Sequence, residues 1–263
     1  MNKLAVILPI YKNDKVPYVR LSLDSILHQT YKGENKLIIG VDGPVGNDLA
    51  DCLKEYEQKT DVFIQWFPEN RGLAIVLNAL LDICFKEGYE YIARMDADDI
   101  STPDRFEKQM AYLQIHPEID VVGAWIDEFE GEVSNVLSMR KVPEQHENIL
   151  RFAKGRCPVN HPVVMFRKSA VLKAGGYKHF PLFEDYYLWV RMLMNGARFY
   201  NIQESLLFFR FSPDMFRRRG GWRYAVTEVR LQTLFYKMGF IGFFSLLKNV
   251  CIRLVTRLLP NGL

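Results

Sequence analysis

Disulfide chemistry, a secretory leader and phosphate-binding glycine loops are all missing or sparse in this sequence. Four cysteines are spread over 263 residues, Cys52, Cys84, Cys157 and Cys251, with no CxxC spacing. They read as reduced structural thiols in a reducing compartment. The opening MNKLAVILPIY is too short an apolar run for a signal peptide; it carries Pro9 and continues into a strand-and-loop pattern. Gly-x4-Gly-Lys-Ser/Thr and GxGxxG loops are absent, which argues against P-loop and dinucleotide binding. No internal repeat or low-complexity linker divides the chain. The formal net charge is only +3, and no broad basic stripe points to nucleic acid. Basic residues instead gather late, at Arg217, Arg218, Arg219 and Arg223.

What is present is an ordinary globular composition, 49% hydrophobic and 25% charged, long enough to bury a sizeable core. The first half alternates strand-like and helix-like segments. Residues 4–8 form a continuous apolar run, as a strand covered on both faces requires. Strands are also predicted at 36–41, 62–67 and 89–95, with helices at 20–29, 49–59 and 73–86 between them. This alternation predicts an α/β fold with a mostly parallel sheet, whose ligands bind beyond the carboxyl ends of the strands. Asp42 and the Asp96–Asp99 cluster both fall at such ends. The second half is less regular. Helices are predicted at 104–114, 168–174 and 183–195, and strands at 121–129, 162–166 and 203–211; residues 131–140 read as a loop.

Asp96-Ala97-Asp98-Asp99 follows a buried strand and precedes Ser101-Thr102-Pro103-Asp104, a good helix start. Carboxylates this close repel one another unless a cation compensates them. Mg²⁺ or Mn²⁺ suits carboxylate oxygens and is completed by substrate phosphates, so the cluster points to a metal–diphosphate site. An acidic turn capping the next helix is the plain alternative. An aspartate-nucleophile phosphatase would place Gly-Thr after its second Asp, whereas Asp99-Ile100 stands here; a nucleotidyltransferase would need a glycine-rich loop. A catalytically silent membrane-bound scaffold would need none of these acids.

An ordered series of motifs resembles glycosyltransferase family 2, the inverting enzymes of the GT-A fold, over roughly residues 3–215. Val6-Ile7-Leu8-Pro9-Ile10-Tyr11-Lys12 resembles the opening strand and loop, SLDSILHQTY (22–31) the first helix, and Val41-Asp42-Gly43 the turn that reads the base. Glu69-Asn70-Arg71-Gly72-Leu73-Ala74 resembles the loop over the donor, Ile92 to Asp99 the metal motif, and Phe183-Glu184-Asp185-Tyr186-Tyr187-Leu188-Trp189 the motif carrying the catalytic base. The subgroup it most resembles builds bacterial surface polysaccharides on lipid-linked acceptors. Asp42-Gly43 departs from the commoner Asp-Asp-Gly or Asp-Gly-Ser. The Gln-x-x-Arg-Trp motif of processive synthases does not follow Glu184-Asp185.

The resemblance implies a role for each matching residue. Pro9 and Tyr11 line the base pocket and Asp42 accepts from uracil. Arg71, Gly72, Arg94, Ala97, Arg210 and Arg219 face the UDP-sugar, although Arg71 and Arg94 could instead neutralise the acidic turn. Asp98 is the first choice as metal ligand, with Asp96 beside it on metal, ribose or sugar hydroxyls. Asp99, His161 and Trp189 are candidates for the acceptor side; a core role competes for Trp189 and a structural one for His161. Asp185 is favoured over Glu184 as the base that takes the proton from the acceptor hydroxyl.

Residues 1–215 are expected to form the catalytic domain, split near residue 100 into a nucleotide-sugar half and an acceptor half, with 216–263 a basic, amphipathic helical extension. In residues 240–259, Ser245, Lys248, Asn249, Arg253, Thr256 and Arg257 share about half the helical circumference. Spaced charges disfavour a spanning helix and favour an interfacial one, on the cytoplasmic face of the membrane. Packing on the catalytic domain or on a second subunit, as in a homodimer, is the alternative. The acceptor implied is a saccharide on a lipid pyrophosphate.

Overall fold

A computed structural model describes residues 3–212 and 221–258. The alternation of the first half appears as β1 (Leu4–Ile10), α1 (Val16–Leu27), β2 (Asn35–Val41), α2 (Asn47–Glu57), β3 (Val62–Trp66), α3 (Leu73–Lys86) and β4 (Tyr91–Arg94). β1 pairs in parallel with β2 and β4, and β2 with β3. Successive side chains of a strand point to opposite faces. Leu4, Val6, Leu8 and Ile10 accordingly join a core with α1 and α2, while Ala5 and Ile7 join a second core with α3. Burial on both faces is why β1 reads as an unbroken apolar run rather than an alternating one.

The second half adds β5 (Ile100–Ser101), α4 (Arg105–Ile115), β6 (Val121–Phe129), β7 (Val136–Arg140), α5 (His146–Ala153), β8 (Met165–Arg167), α6 (Lys168–Lys173), α7 (Glu184–Met194) and β9 (Phe199–Arg210). Two helices follow, α8 (Gly221–Lys237) and α9 (Phe243–Leu258). Among the described residues the strands form one sheet in the order β3-β2-β1-β4-β8-β6-β9-β5, with β7 on β6. β8 runs antiparallel to both β4 and β6, so the sheet is mixed where the sequence suggested mostly parallel pairing.

β5 and α5 have no counterpart in the sequence reading, and two further segments differ from it. Residues 136–140, read as loop, form β7, whose residues are mostly exposed because it pairs only with β6. Such a strand carries no buried face to generate an apolar pattern. Residues 162 and 163, read as the start of a strand, belong to a short 3-10 turn (His161–Val163), and the strand begins at Met165.

Candidate active site

The carboxyl ends of β1, β2 and β4 converge on a cavity of about 420 Å³ lined by Pro9, Tyr11, Asp42, Gly72, Asp96 and Asp98, among others. β1 lies between β2 and β4, the strand-order reversal at which open α/β sheets bind ligands. Asp42 is nearly buried and organises one wall. Its Oδ1 accepts from the Arg71 amide at 2.6 Å, and its Oδ2 from the Gly72 amide at 3.0 Å and Asn70 Nδ2 at 2.8 Å. The carboxylate is thus engaged by the 70–72 loop, and the base contact implied for it has this competitor. Gly43 is required for the approach: its φ is +86°, and a Cβ there would meet the Asn70 nitrogen at 2.6 Å. Gly72, also at φ +86°, opens α3, whose amino terminus faces the cavity. The Arg71 guanidinium lies over the Phe67 ring and is not among the cavity-lining groups.

The helix motif 22–31 acts at a distance on the acidic turn. Ser22 Oγ donates to the Asp96 carbonyl at 3.0 Å, and Ser25 Oγ accepts from the Ser101 amide at 3.0 Å. Gln29 bridges the Thr102 carbonyl and the Phe106 amide, and the Thr30 amide donates to the Pro103 carbonyl. Two serines of α1 and two polar residues just beyond its end therefore fix residues 96–106. Arg105, fully buried, supports the end of β4 by donating to the Arg94 carbonyl at 2.8 Å; burial without a carboxylate partner lowers its pKa to about 9.

Within the turn the aspartates separate. Asp96 pairs with Arg94 at 2.5 Å. Arg94 is 2% exposed, so it neutralises the turn from behind and does not line the donor cavity. Asp98 is exposed into the cavity; desolvation and repulsion by Asp96 push its pKa up to about 6. Asp99, placed on the acceptor side by the sequence reading, is instead fully buried, accepts from the Arg210 amide at 2.9 Å, and is held well above the ordinary carboxylate range by desolvation. Arg210 belongs to the cavity wall. Its guanidinium sits 3.9 Å over the Tyr18 ring and 4.6 Å from that of Phe129, and Nε donates to the Asp98 carbonyl. Asp14, which the sequence reading missed, lines the same cavity, and its pKa is raised to about 7 chiefly by desolvation, with contributions from Asp98 and Asp96. No short motif marks it; only the fold of the 11–15 turn carries it there.

A second cavity, of about 410 Å³, adjoins the first, and Asp96 lines both. Asp185, in the first turn of α7, is on its wall, and Cys157 Sγ donates to Asp185 Oδ2 at 3.9 Å. Glu184 is not on that wall and lies 4.0 Å from His179. His161 lines the cavity, but its ring is largely buried, with Nε2 2.9 Å from the Tyr177 hydroxyl. Trp189 is wholly buried among His161, Phe166 and Phe199, so it is a core residue and not an acceptor floor. Tyr224 and Glu228 of α8 and Arg253 of α9 complete the wall, contributions that no local motif announced. Arg219 and its neighbours Arg217 and Arg218 lie outside the described residues.

Comparison with known proteins agrees with this geometry. A family model described as Glycosyl transferase family 2 matches residues 5–175. The chain belongs to glycosyltransferase family 2. A second description, Glycosyl transferase family group 2, matches residues 91–260. An uncharacterized glycosyltransferase of Haemophilus influenzae is 37% identical over 99% of this chain and 96% of its own length. The UDP-Gal:alpha-D-GlcNAc-diphosphoundecaprenol beta-1,3-galactosyltransferase of Escherichia coli is 33% identical over 99% and 93%. The amylovoran biosynthesis glycosyltransferase of Erwinia amylovora is 34% identical over 97% and 94%. In structure, residues 1–349 of S. aureus TarS with UDP-GlcNAc superpose with a TM-score of 0.71 at 15% identity, covering 97% of this chain and 73% of that one. The mannosyltransferase PcManGT of Pyrobaculum calidifontis, with GDP-Man and Mn²⁺, gives 0.64 at 15%, covering 96% and 74%. The fold is GT-A.

For this family 2 chain, burial of His161 has a measurable consequence. Desolvation, with Arg94 nearby, holds the folded imidazole well below its ordinary 6.5. The unfolded chain takes up a proton near 6.5 that the folded one refuses, so this contribution is complete above that pH and is lost as pH falls below it. Thermal melts at pH 7.5 and 5.5 should show a larger drop in midpoint for the wild type than for His161→Gln. Equal drops would remove His161 from the account.

Proposed function

We propose that this glycosyltransferase moves a hexose or N-acetylhexosamine, of galactose or glucose type, from a UDP-sugar to a saccharide on a polyprenyl pyrophosphate, with inversion, in surface polysaccharide synthesis. One observation carries the proposal: Asp96, with Phe209, lines both cavities, one bearing the nucleotide motifs and the other Asp185. Inversion needs the acceptor hydroxyl and its base opposite the departing diphosphate, and adjoining cavities that meet at Asp96 suit that arrangement. Asp185 takes the hydroxyl proton, while Glu184 stands at the first position of α7, where a carboxylate is favoured by the helix dipole. Pro9 and Tyr11 hold the base, and Arg210 and the amino end of α3 face the diphosphate. The relatives' names favour the polysaccharide setting, and the E. coli transferase favours galactose and a diphospholipid acceptor.

The residues present fit Mn²⁺ or Mg²⁺. Among the described residues no three His, Cys, Asp or Glu side chains are grouped to cage a metal. Hard cations of this kind commonly take one or two carboxylates and complete their shell with substrate phosphates. Asp98, with Asp96 beside it, would hold the ion; the pKa values of Asp98 and Asp14 are raised chiefly by desolvation, with neighbouring carboxylate charge adding to it. Bound there, the cation would supply charge stabilisation for the departing diphosphate. A panel of nucleotide sugars, read by nucleoside diphosphate release with Mn²⁺, Mg²⁺ or EDTA, tests the proposal. UDP release should require one UDP-sugar, the lipid-linked acceptor and a cation; full turnover in excess EDTA overturns the metal role.

We also place the enzyme on the inner membrane surface. No helix among the described residues is long and apolar enough to cross a membrane. α9 is turned the opposite way from a surface helix of a soluble protein. Asn249 is buried and donates to Gln232 Oε1 at 2.8 Å and the Lys154 carbonyl at 2.7 Å; Arg253 pairs with Glu228 at 3.0 Å. Phe243, Phe244, Leu247 and Ile252 are outward, with Phe244 84% exposed, and Lys237 and Lys248 flank them. Apolar residues rimmed by lysines suit an anionic bilayer surface. Phe243→Glu/Phe244→Glu should weaken sedimentation with phosphatidylglycerol vesicles by tenfold or so, about 1.4 kcal/mol, without slowing turnover of a water-soluble acceptor. Unchanged sedimentation together with loss of a dimer on gel filtration would assign the face to a second copy.

A further inference from the structure

The acceptor-side cavity has a charge pattern that the transfer chemistry does not use. Four cations line it, Arg140, Lys141, Arg156 and Arg253. Two are already matched: Arg140 pairs with Glu128, and Arg253 with Glu228. Of the three carboxylates on the wall, Asp96 is matched by Arg94 and Glu228 by Arg253, while Asp185 accepts from Cys157 Sγ and is the acid assigned to the transfer. Arg156 and Lys141 are exposed, and neither has a carboxylate partner among the described residues. Lys141 Nζ rests 4.8 Å over the Trp125 ring, a contact that an anion in the cavity can replace at little cost. Two cations on one cavity wall, neither paired with a carboxylate among the described residues, are complementary to an anion with several oxygens, and the arginine fork fits phosphate oxygens two at a time.

That anion is not the donor's diphosphate, whose motifs line the other cavity. The wall that carries Arg156 also carries Tyr224, Glu228 and Arg253, which belong to the two helices bearing the outward apolar face. An acceptor that is a saccharide on a lipid phosphate brings its charge to this place, between the sugar at Asp185 and the bilayer at α9.

We infer that Arg156 and Lys141 form a subsite for the diphosphate of the lipid-linked acceptor, with Arg140 beside them. The inference rests on the proposed function for the identity of the acceptor, and on the cavity for the residues. It makes the phosphate a handle: the enzyme distinguishes a lipid-linked saccharide from a free or simply glycosidic one by charge placed next to the sugar.

The test uses the full-length protein saturated with UDP and Mg²⁺, so that the donor cavity is filled. Two probes share one aryl-alkyl chain, GlcNAc-diphosphate-alkyl and the neutral GlcNAc alkyl glycoside. Binding is read by calorimetry on that complex, and turnover, in separate reactions with UDP-sugar and no added UDP, by UDP release. The wild type should bind the diphosphate probe far more tightly than the glycoside. Arg156→Gln and Lys141→Gln should each cost about tenfold on the diphosphate probe, the scale of a lost charge-assisted hydrogen bond. The double variant should bind both probes alike, with glycoside binding, donor KM and circular dichroism unchanged. A double variant that keeps the wild-type preference, or a wild type with no preference, overturns the subsite. A wild type that binds the diphosphate probe but consumes no UDP-sugar with it leaves the subsite standing and removes the proposed acceptor reaction instead.

Discussion

Replacing Asp98 with alanine should lower turnover by roughly a thousandfold or more while the protein keeps its fold and melting temperature. The magnitude follows from the several kcal/mol a bound cation contributes to stabilising developing phosphate charge, at 1.36 kcal/mol per factor of ten. The fold should survive because the Asp98 side chain is exposed in the cleft, while the turn is fixed through its backbone: the Asp98 carbonyl accepts from Arg210 Nε, and the Asp96 carbonyl from Ser22 Oγ. The measurement is UDP release across a Mn²⁺ titration, with calorimetric melts as control. Asp98→Asn should recover little, because a neutral amide cannot offset a divalent charge. Wild-type rates for Asp98→Ala would end the metal assignment.

The second large effect separates two adjacent acids. Asp185→Asn should lower kcat by about 10²–10⁴-fold, the range for losing a general base, with donor KM little changed. Glu184→Gln should stay within about tenfold, since a helix-end carboxylate contributes of order 1 kcal/mol. The geometry behind the contrast is that Asp185 is on the wall shared with His161 and Cys157, whereas Glu184 lies off it beside His179. Cys157→Ser tests the supporting contact: if the thiol orients Asp185, kcat should fall and the acidic limb of the pH–rate profile should move, with acceptor KM unaltered. Near-normal rates for both Asp185→Asn and Glu184→Gln would place the base elsewhere.

Much of the donor side was legible in the sequence because its parts are local. A buried strand, a turn and a helix start occupy consecutive residues, so Asp42 and the Asp96–Asp99 cluster could be placed at strand ends from pattern, while Pro9 and Gly72 were assigned through the family resemblance. Even the long-range task of Ser22, Ser25 and Gln29 was foreshadowed by a helix motif, although its target, the 96–106 turn, was not. Readings failed where a residue's facing depended on what packs against it. Asp99 and Trp189 sit in chemically suggestive segments yet turn inward. Asp14 turns into the donor cleft from an unremarkable loop.

α9 illustrates the division most clearly. Its sequence established that polar and apolar residues occupy different sides. It did not establish which side faces the protein, and the packing reversed the usual arrangement by seating Asn249 and Arg253 against Gln232, Glu228 and the 154–155 carbonyls. By itself, then, the sequence determined the order of the elements in the first half, the acidic turn and the family, because these rest on periodicity and short motifs encoded in neighbouring residues. The tertiary structure alone decided the second cavity, the cations on its wall without carboxylate partners among the described residues, and the outward face of the last helix. Those surfaces are assembled from segments up to about a hundred positions apart, and burial and charge neutralisation are properties of that assembly rather than of any one stretch of chain.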